Sequence, residues 1–389
     1  MSRPLAIAFL SHMASGTAPT GAERSLALLA SGLRRRGHRV GVVAPGSWAL
    51  EASLRASDVP VEIIPSRACW LTYYEPRPWP VALAKWARCV WPQSSTGRVR
   101  RFLESFQPDV VHVNCLPHLA GAAAAANFGR PVVWHLREIL PAGRRRQWLA
   151  RKVRRHATLV VAVSEAVGRW VRDEGLEPRL RVVPNGVELP TIPRDSRAAR
   201  RALGIPDDGV LVGLFGQLVP HKGALEFVEA AESAWRSEPN LRFVLAGEGP
   251  ERFRERIVSA IAATDCRERF QLLETQPSGE PLIAATDVIC LATTTPDPLP
   301  RAVMEAMAAA KPVAAFGSGG TVEMVRSGET GLLVPPGDVA ALGRAFAHLA
   351  RDPGLRREMG QAGRRRAREQ FSLEQHLDRM EALFRSVTA

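Results

Sequence analysis

Cysteine is scarce and scattered along this chain. The 389 residues contain five cysteines, an odd number, and no two of them have the C-x-x-C spacing of zinc or redox sites. Neither a disulfide framework nor a zinc module is therefore indicated. The cysteines are better interpreted as small hydrophobic core residues in a reducing compartment.

Long hydrophobic runs are also missing. The longest candidate, Ala120–Ala126, falls far below the roughly 18 apolar residues that indicate a transmembrane helix. The N-terminal run Leu5–Leu10 is too short for a secretory signal and is typical of a buried first strand. We therefore expect a cytoplasmic protein.

Acidic residues are outnumbered by basic ones. The chain has 52 Lys and Arg against 39 Asp and Glu, which gives a net charge of +13. The excess is concentrated in the first half, above all in the segment Arg144–Arg155. Nucleic acid is one class of partner for such a chain. No helix-turn-helix, zinc-finger or RNP motif is present, so we expect no nucleic-acid binding.

The basic segment Arg144–Arg155 has two interpretations. It is either a solvated helix face or an interfacial helix that contacts anionic lipid at the inner face of the cell membrane. An upstream region in which tryptophans alternate with basic residues supports the second interpretation. The residues assigned to this membrane or acceptor surface are Arg144, Arg145, Arg146, Trp148 and Trp86.

Short apolar runs alternate with helical stretches twice along the chain. Seven runs, from LAIAFL to LRVVPN, precede six more, from VLVGLFG to GLLVPP. Continuous apolar strands separated by helices are typical of parallel sheets covered on both faces. We predict an α/β protein with two doubly wound domains, 1–188 and 189–372, and a C-terminal helix at about 373–389 that packs back on the first domain.

The stretch Thr294–Asp338 is the most informative part of the chain. It places Asp297 in a Pro-rich loop and Glu305 eight positions later, in an Ala- and Met-rich helical run. Such a loop presents backbone N–H groups at a helix N-terminus, where phosphate and sugar oxygens are readily bound. This layout predicts a nucleotide-sugar site.

Three further residues are candidates because they follow predicted strands. Gly21 allows the backbone to approach a diphosphate, and Lys222 in FGQLVPHKG can reach phosphate oxygens. An ordinary turn glycine and a surface lysine are the alternatives. His135, at the end of PVVWHL, is either a catalytic residue or a satisfied core histidine. Its neighbours Arg137 and Glu138 are interpreted as polar groups close to the site, and His112 and His118 are weaker candidates.

Taken together, these residues resemble the retaining glycosyltransferases of family 4. The similar segments cover nearly the whole chain in the family's order: GAERSLALLASGLRRRGHRV, HLREI, VVAVSEAV, VVPNGVE, FGQLVPHKG, VLAGEGP and Thr294–Asp338. The resemblance implies the GT-B fold, in which two Rossmann-like domains face a cleft. The first domain would bind the acceptor and the second the nucleotide-sugar donor.

The resemblance also implies roles for single residues. Glu305 would hold the ribose hydroxyls, Asp297 would face the transferred sugar, and Lys222 would neutralise charge on the departing diphosphate. His135 would contact the sugar from the acceptor side. The implied catalytic set is His135, Asp297 and Lys222. The implied donor-binding set is Gly21, Gln217, Lys222, Leu299, Pro300, Arg301, Ala302 and Glu305.

Three positions depart from the family's usual pattern. Asp297 replaces a glutamate, Gln217 replaces a common arginine, and Pro300, which has no N–H to donate, replaces a frequent glycine. The core of the site remains, but a non-catalytic nucleotide-sugar or lipid-binding module stays the first alternative. A basic nucleic-acid-binding protein that uses the arginine runs is the second.

The implied reaction is transfer of a sugar from a UDP- or GDP-linked donor to a hydroxyl acceptor, with retention. The acceptor could be a lipid-linked glycan, a polysaccharide or a small molecule, as in cell-envelope glycan, polysaccharide or glycolipid synthesis. No DxD pair follows a strand, so we expect that neither a metal ion nor another cofactor is required.

Overall fold

The computed structural model describes residues 3–13, 19–66, 95–190, 196–274, 276 and 279–389. It divides into two compact units. Unit 1 comprises residues 1–186 and 373–389, and unit 2 comprises residues 187–372.

Unit 1 is built on a seven-stranded parallel sheet with the order β3-β2-β1-β4-β5-β6-β7. Its strands are β1 (Ala6–Leu10), β2 (Arg39–Ala44), β3 (Val61–Ile63), β4 (Val110–Asn114), β5 (Val132–Leu136), β6 (Leu159–Ala162) and β7 (Leu180–Val182). Its described helices are α1 (Gly21–Arg35), α2 (Glu51–Ala56), α3 (Ser95–Phe106), α4 (Leu119–Asn127), α5 (Arg144–His156), α6 (Glu165–Asp173) and the C-terminal helix Leu373–Thr388.

Unit 2 repeats this architecture with a six-stranded parallel sheet of order β10-β9-β8-β11-β12-β13. Its strands are β8 (Val210–Phe215), β9 (Leu241–Ala246), β10 (Phe270–Leu273), β11 (Val288–Leu291), β12 (Val313–Phe316) and β13 (Gly331–Val334). Its described helices are α7 (Ser196–Ala202), α8 (Ala224–Ser237), α9 (Glu251–Ala262), α10 (Glu280–Ala285), α11 (Arg301–Ala308), α12 (Thr321–Met324), α13 (Val339–Arg351) and α14 (Pro353–Gln370). The helix Leu373–Thr388 is α15.

All thirteen apolar runs of the sequence form strands, and the predicted α/β class with two doubly wound sheets is confirmed. The central strands β1 and β4 are buried along their whole length, which explains their continuous rather than alternating hydrophobic pattern. In each sheet the strand order reverses beside the first strand, at β1 and β4 and at β8 and β11. Ligands of such sheets bind at the carboxyl ends of the strands near this point.

Helix α15 belongs to unit 1 although it is last in the sequence. Its Leu377 and Phe384 lie in the hydrophobic core of that unit. Gly32 allows the close approach of α15 to α1, since a Cβ there would lie 2.6 Å from a methyl carbon of Leu377. At the end of α1, Arg36 forms salt bridges with three carboxylates of α15: Glu374, Asp378 and Glu381.

Part of the positive charge of unit 2 has a structural role. Arg356 donates hydrogen bonds to carbonyls of the last turn of α13. Arg364 donates to Ala308 at the end of α11, and Arg366 donates to Met324 at the end of α12. Because the last carbonyls of a helix have no intrahelical donor and carry partial negative charge, these arginines stabilise three helix C-termini.

Candidate functional site

Glycines join two loops at the carboxyl edge of the unit 2 sheet. After β8 and β9, the N–H of Gly216 donates to Ala246 at 3.1 Å and that of Leu218 donates to Glu248 at 2.7 Å. A Cβ on Gly247 would lie only 1.7 Å from the carbonyl oxygen of Gly216. The two loops therefore pack backbone against backbone, which only glycine permits at this position.

Lys222 is positioned by a second close approach. It ends the short 3₁₀ helix Pro220–Lys222, and Gly223 then turns the chain into α8 with a φ of 78°. A Cβ on Gly223 would lie 1.7 Å from the carbonyl oxygen of Ala292, just after β11. Lys222 is thereby placed at the same edge as the loop that carries Asp297.

Lys222 and Asp297 are in direct contact. The Lys222 Nζ lies 2.6 Å from the Asp297 Oδ2, and the side chains are 28% and 12% exposed. The Asp297 backbone lies against a glycine pair after β12, since the N–H of Gly320 donates to its carbonyl at 2.8 Å. A Cβ on Gly319 would lie 2.3 Å from the same oxygen. The acid therefore sits on a closely supported loop beside a cation.

Helix α11 begins directly after this loop. Pro300 is its N-cap residue, and its carbonyl accepts the N–H of Val303 at 3.1 Å. One turn into the helix, the Arg301 Nε lies 2.8 Å from the Glu305 Oε1. The structure thus brings the predicted donor residues together as two ion pairs, Lys222 with Asp297 and Arg301 with Glu305.

The other predicted residues of unit 2 contribute to the edge in different ways. Leu299 and Pro300 are buried, Ala302 is half-buried in the first turn of α11, and Gln217 is exposed on the loop after β8. Sequence reasoning singled out neither Gly319 nor Gly320. A glycine pair in the turn between a strand and the next helix is the signal that could have identified this support for the Asp297 loop.

In unit 1, Gly21 is the first residue of α1. The preceding Thr20 forms a capping box with Glu23: its N–H donates to the Glu23 carboxylate at 2.7 Å, and its hydroxyl accepts the Glu23 N–H at 3.4 Å. The first turn of a helix carries partial positive charge, as the prediction for Gly21 requires.

His135 lies inside the sheet rather than at its rim. It is the fourth residue of the five-residue strand β5 and is fully buried. Its Nδ1 lies 3.1 Å from the Nε2 of His112 on β4, which is also fully buried. Burial, reinforced by the Arg137 charge, holds the pKa of both histidines well below the usual value, so both are neutral. His118 is likewise buried, and burial lowers its pKa to about 4.

Arg137 lies at the rim of this sheet, directly after β5. Its Nε donates to the Oδ1 of Asn114 at 2.8 Å, and its Nη1 donates to the Oδ1 of Asn185. Asn114 ends β4 and Asn185 follows β7. Neither asparagine was singled out from the sequence. Their shared signal is an asparagine at the carboxyl end of a predicted strand, as for Asn114, or just after it, as for Asn185.

Some basic side chains of helix α5 form contacts within unit 1, and others are exposed. Arg144 and Arg145 are exposed, whereas Arg146 pairs with Glu174 at 2.7 Å. The Nζ of Lys152 lies 5.4 Å from the centre of the half-buried Trp148 ring. Trp86 lies outside the described residues.

The described ranges lack both a cluster of metal-ligating side chains and a membrane-spanning helix. They contain no group of three or more His, Cys, Asp or Glu side chains placed to hold a metal ion, and that no metal is required stays a prediction. They also contain no helix with the length and hydrophobicity that crossing a membrane requires.

Family models match both units. That of "Glycosyltransferase Family 4" matches residues 19–190, and that of "Glycosyl transferases group 1" matches residues 195–366. Alpha-maltose-1-phosphate synthase of Mycolicibacterium smegmatis is 30% identical over 70% of this chain and 77% of its own length. D-inositol 3-phosphate glycosyltransferase of Kribbella flavida is 31% identical, and the match spans half of that protein.

Solved structures share the complete fold. The crystal structure of Anabaena HepE in complex with UDP superimposes with a TM-score of 0.80 and 25% identity, over 98% of this chain and 99% of that one.

Proposed function

Because the chain belongs to glycosyltransferase family 4, in the group 1 glycosyl transferases, we propose that it transfers a sugar from a nucleoside diphosphate sugar to a hydroxyl acceptor with retention at the anomeric carbon. The contact between Lys222 and Asp297 beside the first turn of α11 carries this proposal. A cation, an acid and a helix N-terminus at one sheet edge suit a sugar joined to a diphosphate.

The roles in unit 2 follow from charge and position. Lys222 stabilises the negative charge that develops on the departing diphosphate, and Asp297 accepts hydrogen bonds from the sugar hydroxyls. Glu305 holds the ribose hydroxyls one turn into α11. The backbone N–H groups of Leu299, Arg301 and Ala302 bind sugar and phosphate oxygens, whereas Pro300 supplies shape but no N–H.

The two ion pairs have a consequence for donor binding. In this structure Lys222 contacts Asp297 and Arg301 contacts Glu305. Since the donor's phosphates, ribose and sugar need the same groups, its binding exchanges or shares these contacts. The shorter side chain of Asp297, compared with the usual glutamate, makes this residue the first candidate for setting donor choice.

In unit 1, we assign the N–H of Gly21 to a phosphate oxygen at the first turn of α1. His135 and its partner His112 are enclosed in the sheet, so their contribution to transfer acts through the residues packed on them. The acceptor's proton leaves with the diphosphate, which acts as the base on the same face of the sugar. No metal ion takes part in this scheme.

UDP-linked sugars are the first donor candidates and GDP-linked sugars the second. HepE, which shares the fold over the whole chain, was crystallised with UDP. We place the acceptor among the hydroxyl compounds of cell-envelope glycan, polysaccharide or glycolipid synthesis.

The proposal is tested by a donor screen that measures the nucleotide released. We expect release of UDP or GDP from one donor, stimulated by a hydroxyl acceptor and unchanged by EDTA. NMR of the product should show the anomeric configuration of the donor. Loss of release in EDTA with recovery in Mg²⁺ or Mn²⁺ would contradict the metal-free scheme, and an inverted product would contradict retention.

Replacing Glu305 with glutamine is expected to raise the donor KM about 10- to 100-fold, because hydrogen bonds to a carboxylate contribute about 1.5–3 kcal/mol. The matched control is Glu329→Gln, which alters the exposed Arg326–Glu329 pair of the same unit. Equal donor KM values for the two variants would remove Glu305 from the site.

The exposed arginines of α5 are proposed to contact anionic lipid. Since each basic residue near such a surface contributes about 1 kcal/mol, changing Arg144 and Arg145 together to glutamine should weaken vesicle binding about 30-fold. Co-sedimentation with vesicles of anionic or neutral lipid measures the effect. Arg146→Gln is the control, because Arg146 is paired with Glu174. Equal binding of the double variant and the native chain would exclude this surface.

A further inference from the structure

Three threonines follow β11 at the carboxyl edge of the unit 2 sheet, in the loop that leads to Asp297. Thr294 is exposed, and its N–H donates to the carbonyl of His221 at 3.0 Å. Thr293 is only 3% exposed. Thr295 is half-buried, but its hydroxyl oxygen is enclosed. The loop therefore places two enclosed hydroxyls shortly before the acid of the proposed donor site.

The hydroxyls of Thr293 and Thr295 have no hydrogen-bond partner among the residues that the structure describes. Burial of a hydroxyl without a partner destabilises the fold, because the group loses its hydrogen bonds to water. Elsewhere in unit 2 the buried hydroxyl of Thr286 donates to the carbonyls of Leu282 and Ile283, at 3.2 and 3.0 Å. The unsatisfied pair is thus an unfavourable feature of the free protein, and such features are expected at functional sites.

The backbone of this loop is held at three points. A Cβ on Gly223 would lie 1.7 Å from the carbonyl oxygen of Ala292, so the two backbones are in close contact. The N–H of Thr294 is hydrogen-bonded, and the carbonyl of Asp297 accepts the N–H of Gly320 at 2.8 Å. The two enclosed hydroxyls are therefore held in position before a ligand binds. A hydroxyl that is already ordered and desolvated forms a stronger hydrogen bond with a ligand than an exposed, mobile one does.

The chemistry of a hydroxyl indicates which part of a nucleotide sugar these groups suit. A threonine hydroxyl is neutral and can both donate and accept a hydrogen bond. The hydroxyls of a sugar ring have the same two capacities. In the proposed reaction Lys222 and the N–H groups at the start of α11 bind the phosphates, and Asp297 can only accept. Neutral groups that also donate therefore complement Asp297 on the sugar.

We infer that Thr293 and Thr295 bind hydroxyls of the transferred sugar and thereby select the donor sugar. This inference rests on the proposed function and adds two specificity-determining residues to it. In the free protein the loop is closed by the contact between Lys222 and Asp297, and the sugar reaches the two hydroxyls when donor binding exchanges that contact. A site that hydrogen-bonds a substrate hydroxyl discriminates against an analogue that lacks it, because the buried protein group is then left unpaired.

The decisive variant combines Thr293→Val with Thr295→Val. The probes are UDP-glucose, UDP-galactose and GDP-mannose, each compared with its monodeoxy analogues. With the donor that is transferred, we expect the native chain to prefer the parent sugar over one monodeoxy analogue by at least about tenfold in kcat/KM. The double variant should lose this preference, with kcat/KM for the parent sugar about tenfold lower. Native kcat/KM and a native preference in this variant would overturn the inference.

The melting temperature of the free protein distinguishes a binding role from a structural one. Because the hydroxyls have no described partner, their removal should leave the melting temperature unchanged or raise it. The matched control is Thr286→Val, which removes a hydroxyl with two carbonyl partners in the same unit. It should lower the melting temperature and keep the native kinetics. If the double variant behaved as Thr286→Val does, its two hydroxyls would be structural and the inference would be wrong.

Calorimetric titrations locate the contact on the donor. They compare UDP with UDP-glucose and GDP with GDP-mannose. Contact with the sugar predicts that the double variant binds the free nucleotide as the native chain does and binds the nucleotide sugar more weakly. Equal weakening for both would place the contact on the nucleotide and overturn the assignment to the sugar. If the native chain bound no nucleotide sugar, the proposed function itself would fail, whereas native behaviour of the double variant in an active enzyme would refute the inference alone.

Discussion

Replacing Lys222 with methionine is expected to lower kcat/KM for sugar transfer by about 10²- to 10³-fold, the usual effect of removing one group that stabilises developing negative charge. The Nζ of Lys222 lies at the carboxyl edge of the unit 2 sheet, 2.6 Å from Asp297. Cleavage of the donor places its new charge on the diphosphate. In the proposed reaction, we expect a lysine at this edge to stabilise that charge more than it stabilises the intact donor.

The effect should depend on the phosphates. Binding of UDP should weaken in Lys222→Met, whereas binding of uridine, which has no phosphate, should stay the same. Asp297→Asn tests the partner: freeing Lys222 from a carboxylate should preserve or tighten UDP binding while transfer falls.

Lys152→Met, which changes a lysine on α5 of unit 1, is the control for steady-state assays with a water-soluble acceptor. It should behave as the native chain. If Lys222→Met kept native kcat/KM and UDP binding, Lys222 would be a surface lysine beside a turn and the proposed site would be wrong.

Acidification below pH 6.5 is expected to unfold unit 1 before unit 2. For four of the buried histidines of unit 1, burial is the main cause that lowers the pKa: to about 3 for His12, to about 4 for His118, and well below the usual value for His112 and His135. In the unfolded chain each has a pKa near 6.5. The unfolded state therefore binds more protons between these values.

The direction of the pH dependence of stability follows from this difference in bound protons. The stability that these histidines contribute is fully present above pH 6.5 and is lost as the pH falls toward the folded-state values. Each can contribute up to about 1.4 kcal/mol per pH unit in that range. Unit 2 contains only His221 and His348 of the nine histidines. At pH values above the range in which carboxylates titrate, its unfolding temperature should therefore change less with pH than that of unit 1.

Calorimetry at pH 7.5, 6.0 and 5.0 measures both transitions. His118→Leu should make the pH dependence of unit 1 less steep by about one proton, because one buried histidine no longer titrates. His348→Gln changes an exposed histidine of unit 2 and should leave both slopes unchanged. If the unfolding temperature of unit 1 were the same at pH 7.5 and at pH 5.0, these histidines would not be buried in solution.

Most of the fold could be predicted because its signals are local. Continuous apolar runs such as LAIAFL and VLVGLFG lie between helical stretches, and all of these runs form strands. Gly21 was recognised because a strand followed by a glycine and a helix is a short pattern. The glycine pair Gly319–Gly320 was missed because its partner, the carbonyl of Asp297, lies elsewhere in the sequence.

The placement of His135 shows the limit of such reasoning. Its position near the end of an apolar run favoured a rim residue as much as a core residue. The structure encloses it against His112 of the neighbouring strand, because the strand continues to Leu136 and the chain reaches the rim only at Arg137. A strand that is one residue longer or shorter moves a side chain from the rim of the sheet to its core, or the reverse. The apolar run alone does not show which residue is the last of the strand.

By itself, the sequence determined that this chain forms two parallel-sheet α/β units with the motifs of family 4 glycosyltransferases. The spacing of hydrophobic residues, the glycine turns and the order of the motifs can all be read along the sequence, because each depends on residues that are close together in the chain. Only the tertiary structure decided which polar groups meet: Lys222 with Asp297 across 75 positions, and Arg137 with Asn114 and Asn185. Such contacts depend on strand order and on backbone approach at glycines, which bring together loops that are distant in the sequence.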